Sequence, residues 1–201
     1  MKLAELWLPD AQQALFRAVL DGFARPGTEV AAGGRAGGRA GGEAALALLA
    51  TVLDESVTLA DPQNRLDPDQ RRLLRTPPAP PETARFVLLD GRAAPAPDFR
   101  PALGTLESPE LGATLVLTVH ALAGAGAPPP AGSLALRLAG PGVPGERRLH
   151  VAGLHPDWLT CRAGWVSAYP LGVDLVLCAA DRLVALPRTT RIAHGDASWA
   201  T

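Results

Sequence analysis

PLGVDLVLCAADRLVALPRTTRI, residues 170–192, decides the fold. Two runs rich in leucine and valine flank a short polar link. That is the signature of a buried β-hairpin, so at least one pair of strands is antiparallel. The second run ends at Pro187, which has no amide hydrogen to give a ladder, so the strand must lie at a sheet edge or leave the sheet there. Arg188-Thr189-Thr190-Arg191 then leaves in extended form, its threonines stiff at χ1 and its backbone groups unpaired. Such a segment suits docking onto another chain, and no base, nucleophile or metal ligand lies near it in sequence. Asp174, Pro187, Arg188, Thr189, Thr190 and Arg191 are therefore the interface candidates.

Asp174 admits two readings. Within GVDLVL an ionised carboxylate is costly unless it is paired or hydrogen-bonded, which points to a site or interface acid. Alternatively it sits at the wet end of the strand, capped by backbone amides. Hairpin register decides which face Arg188 takes. A three-residue link, Ala179 to Asp181, puts Asp174 and Arg188 on one face; a four-residue link parts them. If Arg188 is buried against a charge on another chain, removing it weakens assembly without unfolding the protomer.

Outward from the hairpin, helices interleave with strands. PDAQQALFRAVLDGFARPG (9–27) predicts a helix capped by Asp10, with Leu15, Phe16, Val19, Leu20 and Phe23 as its apolar stripe and Pro26-Gly27 as its stop. AAGGRAGGRAGGE (31–43) reads as a low-complexity surface link, and EAALALLATVLDE (43–55) as a buried helix. SVTLADP is a short strand, and LDPDQRRLLR (66–75) a short helix with an acidic first turn. ARFVLLDG (84–91), GATLVLTVHAL (112–122) and SLALRLAGPGV (133–143) read as strands, and DWLTCRAGWVSAY (157–169) as a helix with Trp158, Cys161 and Trp165 on one side. A mixed sheet covered by helices in one α/β domain over 1–192, followed by a loose tail 193–201, is the consistent architecture.

Composition bounds the function. At 201 residues, 47% hydrophobic and net charge -1, the chain can bury one sizeable core and lacks the basic excess of a general nucleic-acid binder. The N-terminus MKLAELWLPD has no signal-length apolar core and no run approaches a membrane span, so a cytoplasmic location is expected. Lys2 is the one lysine beside 18 arginines; with abundant Ala, Gly and Pro this looks like GC-rich coding, and no lone arginine is given weight. A pyridoxal-phosphate enzyme needs a lysine to hold its cofactor, and Lys2 at the terminus is poorly placed for it. Cys161 and Cys178 are too few for an iron–sulfur cluster and read as small core residues. His120, His150, His155 and His194 lack metal-ligand spacing, His120 reading as a core histidine of its strand. The glycine tract contains no GK[ST], so flexibility rather than phosphate binding is its expected use. No cofactor and no metal are expected.

The hairpin and its PRTT end resemble the C-terminal signature of the PhnH family, a component of the bacterial carbon–phosphorus lyase core complex of phosphonate metabolism. FRAVLDGFARPGTEV (16–30), GATLVLTV (112–119) and LRLAGPGV (136–143) resemble other stretches of that family, and the likeness runs from about residue 9 to 192. It implies a three-layer α/β/α sandwich similar to pyridoxal-phosphate transferases, without the cofactor. It also implies a homodimer that joins subunits G, I and J in a core complex transferring ribose triphosphate from ATP onto alkylphosphonates. Catalysis is attributed there to a nucleosidase-like and an iron–sulfur radical subunit, which makes this chain a non-catalytic structural subunit. Two alternatives stay open: a subunit with its own nucleotide- or phosphonate-binding pocket, for which the arginines could supply phosphate ligands, and a regulatory dimer that kept only the fold.

Overall fold

The computed structural model describes residues 8–32 and 42–195; the glycine tract from 33 to 41, Lys2 and residues 196–201 lie outside the described residues. In chain order the elements are α1 (Pro9–Ala24), β1 (Glu29–Ala31), α2 (Gly42–Val52), β2 (Leu59–Ala60), α3 (Pro68–Leu74), β3 (Phe86–Asp90) and β4 (Thr114–Thr118). They continue with β5 (Ala121–Gly124), β6 (Ser133–Gly140), β7 (Val143–Ala152), α4 (Asp157–Trp165), β8 (Asp174–Ala179), β9 (Arg182–Leu186) and β10 (Arg191–His194).

Two sheets result. The larger is mixed, in the order β1-β9-β8-β4-β3-β2, with β2, β3, β4 and β8 parallel. The predicted hairpin supplies its antiparallel part: β8 pairs with β9, and β9 with β1. The smaller sheet is antiparallel, β10-β6-β7-β5.

Alternation along the central strands divides the core in two. Leu88, Val116, Val176, Cys178 and Leu183 face α1, α2 and α3. Leu89, Leu115, Leu117, Leu175, Leu177, Val184 and Leu186 face Leu122, Leu136, Leu138, Leu149 and Val151 of the smaller sheet, together with Trp158 of α4. Strands apolar on both faces are what a covered, largely parallel sheet requires. The chain is thus α/β with a mixed sheet, as expected. One face is covered by helices and the other by a second sheet joined by α4.

Several local expectations change. α1 begins at Pro9 with Leu8 as its N-cap, so Asp10 lies in the first turn and caps nothing. Its buried residues are Val19 and Gly22, while Phe16 and Leu20 of the expected stripe are exposed. The reason is Gly22: a Cβ there would stand 2.9 Å from Val30 Cγ2, so the helix approaches β1 along its glycine side. GATLVLTVHAL is two strands: β4 ends at Thr118, the chain changes sheet, and β5 starts at Ala121. His120 sits exposed at that corner, against Gly153, and is no core histidine. The α3 helix has the better cap, a capping box in which Asp67 and Gln70 satisfy each other's amides. Paired backbone reaches His194, because β10 aligns with Leu136–Ala139 of β6.

Candidate functional site

The parallel strands give the large sheet two chemically different edges. At the amino end of β8 lies Asp174; at the carboxyl ends of β2, β3 and β4 lie Asp61, Asp90 and Thr118.

Hairpin geometry sets the first edge. Ala179 pairs with Arg182 across the two-residue link Ala180-Asp181, with Ala180 in the left-handed region at φ 45°. An even link would point Asp174 and Arg188 to opposite faces, as the four-residue case does. They meet nonetheless, because Pro187 ends the ladder and the chain turns. Thr190 N–H donates to Pro187 O at 2.8 Å, closing a turn over Pro187–Thr190. The amide of Arg188 donates to Asp174 Oδ1 at 2.6 Å and its guanidinium Nη2 to Asp174 Oδ2 at 2.8 Å. Nη1 reaches two further loops, donating to Pro109 O at 2.7 Å and Pro170 O at 3.3 Å. Only 13% of the Arg188 and 18% of the Asp174 side chain is exposed. Asp174 therefore takes a backbone amide, as its capped reading expects, and with it a cation of its own chain.

A second buried guanidinium holds the turn from behind. Arg162, one turn after Trp158 on α4, donates from Nη2 to Pro187 O at 2.7 Å and Thr190 O at 3.1 Å. Arg162 is 3% exposed, and burial lowers its pKa to about 10, opposed by the nearby charge of Asp174, so it stays charged at neutral pH. PRTTR is thus a turn fastened to its own chain, not the extended segment that its composition suggests. Thr190 is buried, Pro187, Arg188 and Thr189 are half-buried, and Arg191 is exposed as it opens β10. Gly112 completes the packing: a Cβ there would collide with Gly172 O and with the Arg188 guanidinium.

The second edge holds a polar cleft of about 730 Å³ beside the start of α2. Asp90, at the end of β3, takes a bidentate contact from Arg92 (Nε to Oδ1 2.7 Å, Nη2 to Oδ2 2.6 Å) and an ion pair from Arg65 at 3.1 Å. Arg65 also donates to Thr118 Oγ1 at 2.8 Å. The hydrogen bond from Arg92, opposed by burial and assisted by the charges of Arg65 and Arg92, lowers the Asp90 carboxyl to about 2. Gln63, Asn64 and Gln70 add neutral polar lining, and Asp67 and Glu43 add acidic groups. Sequence reasoning misses Arg65, Arg92 and Arg162, since single arginines in an arginine-rich chain carry no weight; the Asp-Gly-Arg that closes β3 is the available signal.

A depressed carboxylate stabilises the fold above its unfolded pKa and ceases to do so as pH falls through the folded value. With 3.8 as the ordinary value and about 2 in the fold, Asp90 contributes fully above about pH 4 and loses its contribution towards pH 2. Asp90→Asn is expected to flatten this acid limb by about 1–2 kcal/mol after allowance for solvent screening. Urea midpoints measured from pH 2 to 6 check it; parallel curves for variant and wild type would refute the assignment.

Residues 6–193 match the family described as bacterial phosphonate metabolism protein (PhnH). The chain belongs to the PhnH family. It is 39% identical over 187 residues to a putative C-P lyase subunit protein, HtxG, of Stutzerimonas stutzeri, covering 93% of this chain and 88% of that one. It is 33% identical over 187 residues to the alpha-D-ribose 1-methylphosphonate 5-triphosphate synthase subunit PhnH of Rhizobium meliloti (strain 1021), covering 90% and 89%. The span matched by the family contains both edges of the sheet and both Arg162 and Arg188. Among the described residues no group of three or more His, Cys, Asp and Glu could hold a metal ion, and no helix is long and apolar enough to cross a membrane.

Proposed function

We propose that this chain is a non-catalytic structural subunit of the bacterial carbon–phosphorus lyase core complex. It works in the cytoplasm as a homodimer with subunits G, I and J, and is needed for transfer of ribose triphosphate from ATP to alkylphosphonates. Binding to nucleic acid or a membrane, and a cofactor or metal of its own, form no part of this role. The observation that carries the reading is the Arg188 clasp. The most polar part of the signature hairpin is spent on Asp174 and on two loop carbonyls, an arrangement that shapes a surface instead of presenting an acid, base or nucleophile. The parallel strands β2, β3, β4 and β8 and the helices over one face support the three-layer, transferase-like architecture that the family likeness implies, with a second sheet joined by α4 in place of a purely helical layer on the other face. Co-expression with subunits G, I and J should give one co-eluting complex that forms the ribose triphosphate product from ATP and methylphosphonate. A complex that assembles and turns over without this chain sinks the proposal.

One observation favours a second reading, a ligand pocket of its own. The cleft with Arg65 and Arg92 lies outside the carboxyl ends of parallel strands, where open α/β sheets bind ligands. Against it, Asp90 already engages both guanidiniums and Glu43 and Asp67 line the same space, so an anion finds little net positive charge. Calorimetric titration of the purified chain with ATP and with methylphosphonate is expected to show no binding in the submillimolar range. Saturable binding that Arg92→Ala abolishes would establish the second reading instead.

A further inference from the structure

We infer that the loops gathered by Arg188 form a docking face for a different protein chain, one that presents an apolar side chain ringed by Arg or Lys. The inference rests on the subunit role proposed above and adds which surface serves it and what chemistry it fits. Arg188 Nη1 binds the carbonyls of Pro109 and Pro170, so the loop around Pro109 and the loop after α4 meet at one guanidinium. Gly172 N–H donates to Leu103 O at 2.9 Å and ties the same two loops a second time. The same two loops carry three of the large apolar side chains left in solvent: Leu106 at 73% exposure, Leu111 at 49% and Tyr169 at 70%.

The surroundings of these residues select the partner. From Ala163 to Val173 the chain carries no charge, and Ala163, Gly164, Ser167 and Ala168 are exposed beside Tyr169. Glu107 and Glu110, both exposed, border Leu106 and Leu111. Arg188, the cation at the centre, is turned inward and engaged by Asp174. An apolar centre with an acidic rim is the mirror of an apolar anchor with a basic rim. Two copies of this face meeting about a twofold would bring their glutamates together while each Arg188 stays engaged by its own Asp174, so the favoured occupant is another chain. A face held by a backbone tie and an engaged guanidinium is already ordered before the partner arrives, which lowers the ordering cost of association.

The test uses the full chain and the co-expressed other subunits of the proposed complex as the probe. Leu106→Asp with Tyr169→Ala should lower the affinity by about a hundredfold or more, as loss of central anchors does. Glu107→Arg with Glu110→Arg should weaken it by about tenfold and reduce its salt dependence. Phe16→Asp with Leu20→Asp, on the exposed side of α1, serves as the control and should leave the affinity unchanged. All four residues changed in the loops are exposed, and matching thermal melts confirm that the variants fold. If the α1 variant loses the partner while the loop variants keep it, the docking face is wrong and the subunit role stands. If the loop variants dissociate a homodimer while retaining the other subunits, the face pairs with a second copy and the inference is overturned. If the wild type binds none of the subunits, the subunit role itself fails, and this inference with it.

Discussion

Arg188→Ala is expected to destabilise the protomer by about 3–5 kcal/mol, the range for breaking a buried ion pair by removing one partner. The substitution leaves the Asp174 carboxylate, 18% exposed, with one backbone amide and no cation hydrogen-bonded to it. Both loop carbonyls also lose their contact with Nη1, Pro109 O keeping only the Gly112 amide at 3.1 Å. Arg188→Lys is expected to recover little, because an ammonium cannot span a carboxylate and two carbonyls as the planar fork does. Asp174→Ala in the Arg188→Ala background should cost much less than it does alone, since the pair has one shared interaction to lose. Urea denaturation of the four proteins of this cycle measures it. A variant as stable as wild type that nevertheless fails to assemble would return Arg188 to a direct contact with another chain.

That expectation differs from what the hairpin suggests by itself, and the difference has a physical origin. Period-two alternation is local, so the buried strands β8 and β9 and the break at Pro187 are legible in DLVLCAADRLVALP. Where the guanidinium of Arg188 goes depends on Pro109 and Pro170, 79 and 18 residues away, and no local pattern encodes such a meeting. Arg162 is hidden for the same reason: its acceptors are carbonyls 25 and 28 residues later. The second sheet is only half visible. SLALRLAG alternates cleanly, but its partner VPGERRLHVA has charged residues across a half-exposed strand and a register shift near Leu138 and Gly140, which blur the pattern. β10 has four residues, and only its pairing with β6 makes it a strand. In α1 the true contact face is displaced from the apolar stripe because glycine, with no side chain to register as apolar, marks the close approach.

The docking face also depends on what lies beneath it, which makes Trp158 the other position of large effect. Trp158→Ala is expected to cost about 3–5 kcal/mol, the range for removing a large buried aromatic side chain. Its indole is 1% exposed and packs in the core beneath the central sheet. Phe99 meets its ring edge to face at 5.7 Å and meets Trp165 at the same distance, so one phenyl group bridges both tryptophans of α4. The indole N–H donates to Ala93 O at 2.8 Å, which fixes the loop after β3 to the same helix. Trp158→Phe should keep most of the packing and lose this hydrogen bond, costing about 1–2 kcal/mol. Phe99→Ala and Trp158→Ala should be less than additive, because each removes the same ring contact. The consequence for function follows from spacing along α4: Arg162 is one turn beyond Trp158, and it holds the carbonyls of Pro187 and Thr190. A helix loosened at Trp158 releases that hold, so the affinity for partner subunits should fall along with stability even though Trp158 is buried and touches no partner. Thermal melts paired with subunit affinities of the Phe and Ala variants test this. Affinity lost in Trp158→Phe with an unchanged melt would mean that the indole itself meets the partner.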